Sequence, residues 1–108
     1  MEKRLLINYS DLKVKLYDEN VKKYEIDLNY ESSNYSSCIV VVNSIEDIKK
    51  DETVSKLNKN IKKLTLIILS NNPLHLEKYS EKSKFESIIS GIDKSNLNIR
   101  LNEILKLV

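Results

Sequence analysis

Few side chains in this chain are of a type that does chemistry, and they are thinly spread. His75 is the only histidine and Cys38 the only cysteine. A zinc site needs about four convergent ligands, and no Cys-x-x-Cys or second histidine accompanies His75, so an exposed helix histidine is the simpler account. Cys38 opens an apolar run and has no cationic neighbour in sequence to lower its pKa, which suits a buried structural thiol better than a nucleophile. Glu25, Asp27 and Glu31 are spaced along one strand face and read as solvated carboxylates. Gly91 is the only glycine, which excludes dinucleotide and Walker-type phosphate loops. No Gly-x-Ser-x-Gly turn frames a serine. What remains is a set of amides and hydroxyls at apparent strand ends: Asn8, Ser10, Asn43, Ser44, Ser70, Asn71 and Ser90. These are turn-forming types first, and neither a metal nor a cofactor is expected among them.

The charge balance narrows the partners. Eighteen Lys and Arg face sixteen Asp and Glu, for a formal charge of +2. Only Arg4 and Arg100 are arginines, so nucleic acid is not the expected ligand. Lys49, Lys50, Lys56, Lys59 and Lys63 share their stretch with acids and read as a solvated face rather than a phosphate track. Tyr24, Ile26, Leu28 and Tyr30 are interleaved with acids, unlike a base-stacking platform. One cysteine cannot form an internal disulfide, and neither a leader pattern nor an apolar run near eighteen residues is found, so a cytoplasmic protein without a membrane span is expected. The chain has no Ala, Gln or Trp and is dense in Ile, Leu, Lys, Asn and Ser. Codon usage in an AT-rich genome accounts for such a bias, so scattered Asn and Ser carry weight only at special places.

The elements that would position these groups are clearest in the second half. Cys38–Asn43 and Leu64–Ser70 are short apolar runs ended by polar residues, as strands covered on both faces should be. Phe85–Ser90 is a third, stopped by Gly91. Val54, Leu57, Ile61 and Leu64 recur at helical spacing, with acids early and lysines late along the stretch. Asn72-Pro73 starts a short helix to about Ser80. The last helix begins near Ser95, capped by Asp93 or Ser95, with Leu97, Leu101, Ile104 and Val108 as its apolar stripe. Strand–helix alternation of this kind predicts parallel strands joined by helical crossovers.

The first half admits two readings. In one, Arg4–Tyr9 is a strand, Leu12–Tyr24 a helix and Tyr24–Tyr30 the next strand. In the other, Leu12–Leu16 and Tyr24–Tyr30 are arms of a hairpin around Asp18–Asn20, since apolar and charged residues alternate in both. The Glu31–Ser37 link is short for a parallel crossover, which counts against the helix. The expectation is one α/β domain over residues 1–108, with a mainly parallel, or alternatively mixed, sheet of about five strands flanked by helices, flavodoxin- or receiver-like.

From Arg4 onward the layout resembles a receiver domain of bacterial response regulators, most closely over Ser87–Leu105, which reads like that family's final strand, loop and helix. The resemblance covers nearly the whole chain but rests on pattern and spacing. The acidic pair with which receivers hold magnesium falls on Asn8 and Tyr9, or with a shift on Ser10 and Asp11. Their phosphate-accepting aspartate falls on Asn43, their Ser/Thr on Ser70, and their Lys-Pro on Ser90-Gly91. An amide cannot form an acyl phosphate, and one carboxylate does not make a magnesium site. The resemblance therefore implies a receiver that cannot be phosphorylated. Under the hairpin reading the chain is similar instead to sulfate-transporter/anti-sigma-antagonist (STAS) domains, with Asn43-Ser44-Ile45-Glu46-Asp47 where that family has its Asp-Ser-Ser-Gly turn.

Both resemblances imply a non-catalytic regulatory or scaffolding module that binds a protein partner. The competing class is a small enzyme or nucleic-acid binder with an unrecognised site. Ile99 and Leu105 lie off the main stripe of the last helix and are the expected partner-facing positions, whether the partner is another protein or a second copy.

Overall fold

The sheet is built from the segments richest in β-branched residues and leucine. The computed structural model describes residues 3–31, 35–49, 61, 63–70, 77 and 85–107. Its strands are β1 (Lys3–Asn8), β2 (Glu25–Asp27), β3 (Ser37–Val42), β4 (Lys63–Ile68) and β5 (Ser87–Ser90). They form one five-stranded sheet in the order β2-β1-β3-β4-β5, and every pair is parallel. This is the order of flavodoxin-like doubly wound sheets, whose strand sequence reverses between β1 and β3. β3 is buried along its whole length and β4 along all but its first residue. Such strands, covered on both faces, tolerate continuous apolar runs.

Alternate residues divide the core into two layers. On one face Leu5, Cys38, Val40, Val42, Leu64, Leu66 and Ile68 pack with Tyr35, Ile45, Ile48 and Phe85. On the other, Leu6, Ile39, Val41 and Ile67 pack with Ile92, Leu97, Leu101, Ile104 and Leu105. Three helices are described: α1 (Asp18–Lys23), α2 (Glu46–Lys49) and α3 (Leu97–Leu107). α2 sends Ile48 to the first face and α3 covers the second, giving three layers. Asp93 accepts a hydrogen bond from the Ser95 amide at 3.1 Å and caps the 3-10 turn Lys94–Asn96 that leads into α3. The single glycine, Gly91, has φ 71°, a left-handed conformation that other residues adopt at a cost, and it turns the chain out of β5.

Residues 12–30 follow neither sequence reading in full. Residues 12–16 form no strand and β2 pairs with β1 alone, so the hairpin of Leu12–Leu16 with Tyr24–Tyr30 does not form, and with every pair parallel the sheet is not mixed. The helix is confined to Asp18–Lys23, and its one aliphatic residue, Val21, is 52% exposed. Residues 12–17 are instead an unpaired extended strap. Leu12, Val14 and Leu16 point into the second core layer while Lys13 and Lys15 point out. The alternation therefore reported an extended chain correctly, but its partner is a helix.

That partnership rests on two asparagines of α3. Asn98 donates to the Lys13 carbonyl (3.4 Å) and accepts from the Lys15 amide (2.8 Å). Asn102 donates to the Lys15 carbonyl (2.8 Å) and accepts from the Tyr17 amide (2.8 Å). Each carboxamide thus spans one carbonyl and the N–H two residues later, as a peptide unit of a neighbouring parallel strand would. The spacings match, because four residues of helix rise about 6 Å and two residues of extended chain about 6.6 Å. Asn20 of α1 joins the network, donating to the Asn102 side-chain oxygen at 3.0 Å, and both residues are 1% exposed.

The short link between β2 and β3 is accommodated because β2 ends at Asp27, leaving more chain than expected to pass β1. Tyr35 covers the first core layer there. Its hydroxyl donates to Asp27 at 2.8 Å and accepts from the Glu31 amide at 3.2 Å. Burial, followed by the Asp27 bond, holds the Tyr35 pKa above its ordinary value. Lys3 bridges to Asp27 at 3.4 Å and closes this corner. On the opposite face Arg4 is buried, stacked 3.6 Å from the centre of the Tyr24 ring, and donates to the Leu105 carbonyl. A cation there complements the negative end of α3.

Candidate functional site

Parallel strands present their carboxyl ends along one rim, and the register aligns the expected site residues on it. Asn8 is level with Val41, Val42 with Ile68, and Ile68 with Ser90. The ladder continues one step beyond the strands, with the Tyr9 amide on the Val41 carbonyl (2.8 Å) and the Leu69 amide on the Val42 carbonyl (3.0 Å). Asn8, Asn43, Ser70 and Ser90 therefore share one edge, as the strand-end reading expects. Asn71 and His75 lie outside the described residues, as do the expected helix through Val54 and Leu57 and the one starting at Pro73.

Asn8, Ser10 and Asp47 use their polar side-chain atoms to shape turns on this rim. The Asn8 side-chain oxygen accepts from the Ser10 amide at 2.9 Å and from the Ser10 hydroxyl, and its nitrogen donates to the Leu12 carbonyl at 2.7 Å. The Ser10 hydroxyl accepts in turn from the Leu12 amide at 3.3 Å. Asp47 accepts from the amides of Asn43 (2.9 Å) and Ser44 (3.3 Å). With Ser44 at the start of α2, this is the reciprocal half of a capping box, carried by Asp. The Asn43 side-chain oxygen is buried with no hydrogen-bond donor among the described residues. Ser90 is exposed and Ser70 half-buried.

Among the described residues no three or more His, Cys, Asp or Glu converge to hold a metal ion. Asp47 approaches the rim, and its carboxylate is occupied by two backbone donors. Cys38 is buried in β3, and burial pushes its pKa up to about 12. It is a neutral thiol at physiological pH, and the thiolate is the nucleophilic form.

The two helix positions separate. Ile99 is 50% exposed, but Leu105 is 1% exposed and belongs to the second core layer. The expectation that Leu105 faces a partner is wrong. Leu101, Ile104 and Leu105 together widen the apolar stripe of α3, because residues three and four apart share a face. Other exposed apolar side chains are Val21, Leu28 and Leu107. No described helix is long and apolar enough to cross a membrane.

Two clefts flank the sheet, and sequence reasoning found neither. One, of about 210 Å³, lies where Thr65, Ser87 and Ile89 meet Ile104 and Leu107 of α3. The other, of about 340 Å³, lies beside the ends of β1 and β2, lined by Leu6, Asn8, Leu12, Lys13, Val14 and Leu28. Its sequence signal is the alternation at Leu12–Leu16, which turns one side of the strap to the core and lines a cavity with it. Comparison of the chain with protein-family models, curated proteins and solved structures finds no match in any of the three.

Proposed function

We propose that this domain is a non-catalytic, receiver-like interaction module acting on a protein partner in a cytoplasmic regulatory or scaffolding assembly. One observation carries the reading: at the rim where this strand order ordinarily binds ligands, the strand-end side chains are the amides and hydroxyls of Asn8, Ser10, Asn43, Ser70 and Ser90, and among the described residues no cluster of carboxylates gathers there to hold a metal ion. Asn43, at the end of β3, stands where the receiver resemblance puts a phosphate-accepting aspartate. A carboxamide there offers no nucleophile. Asp47, four residues beyond Asn43, has one carboxylate oxygen committed to the amides that start α2. The receiver-like reading is preferred to the STAS-like one because the STAS resemblance rests on a hairpin of Leu12–Leu16 with Tyr24–Tyr30, and residues 12–16 form no strand while β2 pairs with β1 alone.

Incubation with acetyl phosphate and magnesium, followed by intact-mass measurement, tests this. The expected result is an unmodified chain. Stoichiometric phosphorylation of any strand-end residue overturns the reading. A gel-shift series across salt concentrations tests the nucleic-acid alternative, because phosphate contacts give a steep salt dependence.

A further inference from the structure

We infer that the cleft between the strap and the ends of β1 and β2 binds a small aliphatic carboxylate. The cleft holds about 340 Å³, within the range of small-molecule sites. Its walls are four aliphatic side chains: Leu6 from β1, Leu12 and Val14 from the strap, and Leu28 from beyond β2. Leu6 is fully buried in the core and forms the floor, while Leu28 is 57% exposed and forms the rim. An apolar body placed there covers surface that otherwise faces water.

The polar residues of the lining are Lys13 and Asn8. Lys13 is exposed at the edge of the cleft, and its ammonium pairs with no carboxylate among the described residues. Asn8 contributes a carboxamide whose orientation is fixed by its neighbours. The Ser10 backbone amide can only donate, so the group bonded to it is the Asn8 oxygen. The Leu12 carbonyl can only accept, so the group bonded to it is the Asn8 nitrogen. That nitrogen carries two hydrogens and spends one on Leu12, leaving one N–H for a ligand in the cleft. The oxygen, with two donors from Ser10, is filled.

An ammonium, a single amide N–H and no acidic side chain favour an anion over a cation or a neutral donor. Two donors match the two oxygens of a carboxylate, whereas a phosphate dianion brings more charge and more acceptors than the lining answers. The hydrocarbon walls require that the carboxylate carry an aliphatic tail. This site is independent of the interaction reading above, and neither depends on the other.

The test is a titration of the isotopically labelled full chain with hexanoate, and with hexanol as the neutral analogue, followed by amide chemical shifts. Hexanoate is expected to give saturable shifts confined to residues 6–14 and 28, at a Kd on the order of a millimolar for a ligand of this size. Lys13→Gln keeps the stem at an exposed position and is expected to weaken hexanoate about fivefold, the upper end for one solvent-screened ion pair, while leaving hexanol unchanged. Leu28→Ala is expected to weaken both. Absence of saturable shifts at these residues overturns the proposal. So does hexanol binding as tightly as hexanoate, or Lys13→Gln binding hexanoate as tightly as the parent chain.

Discussion

The two faces of the sheet are covered by different means. On the α3 face, a helix, a strap and α1 are joined by a network of amides, buried between Asn20 and Asn102 and exposed at the bonds of Asn98: Asn98 and Asn102 on the helix, Asn20 on α1, and the backbone at 13, 15 and 17. On the other face, the described cover over β1 and β3 comes from α2 and from the loop that carries Tyr35, held by one hydroxyl between Asp27 and the Glu31 amide. The first arrangement depends on several groups satisfying one another, with water excluded where Asn20 meets Asn102. The second depends on the bulk of a ring, with hydrogen bonds as an addition. A buried polar network fails as a unit, because each lost partner strands another group, whereas an aromatic cover loses only what is removed.

The largest expected effect is at Leu105, which the α3 face buries completely. Leu105→Asp puts a carboxylate into the core and is expected to cost upwards of about 4 kcal/mol, abolishing cooperative unfolding. Ile99→Asp, two turns away on the exposed side, is expected to change stability by less than about 0.5 kcal/mol. Urea denaturation of the two variants distinguishes them, and similar losses in both would show that the α3 stripe is assigned to the wrong side.

The comparison between faces is sharpened by removing one polar group from each. Asn102→Leu strands the Tyr17 amide and the Lys15 carbonyl and leaves the Asn20 side chain only its bond to the backbone carbonyl at 102, for an expected loss of about 3 kcal/mol. Tyr35→Phe keeps the ring and loses the bonds to Asp27 and Glu31, for about 1 kcal/mol. Equal losses would break the distinction drawn here.

The smallest effect at neutral pH comes from Cys38. Its pKa is raised from 9.0 to about 12 by burial, so on raising the pH the unfolded thiol loses its proton first. Stability is therefore unaffected below about pH 9 and falls between about pH 9 and 12. Cys38→Val is expected to flatten that alkaline decline in a series of denaturation midpoints. The native thiol is expected to resist a disulfide reagent at pH 8 until the chain unfolds.

The sheet and its last helix were legible because their residues obey a single rule. β3 and β4 are apolar apart from Ser37, Lys63 and Thr65 since both faces are covered, and the expected Cys38–Asn43 and Leu64–Ser70 differ from the strands by one or two residues at each end. The segment before them was not legible, because Leu12, Val14 and Leu16 announce an extended chain without naming what it lies against. The missing signal was Asn98 and Asn102, four residues apart beside Leu97, Leu101 and Leu105. Discounting asparagine as compositional bias hid it. Of the candidate rim, the strand-end positions of Asn8 and Asn43 could be read, but the commitment of Asp47 to backbone amides required geometry. The alternation at Leu12–Leu16 signals one wall of the cleft, but Leu6 and Leu28 join that wall only through the strand order.

The asparagine clamp has a consequence for the conditions under which the strap stays docked. Carboxamides neither titrate nor carry net charge, so acidity and ionic strength find nothing in the clamp to neutralise or screen. A strap held by ion pairs would loosen in brine or acid. This one answers chiefly to agents that compete for peptide hydrogen bonds, urea foremost among them.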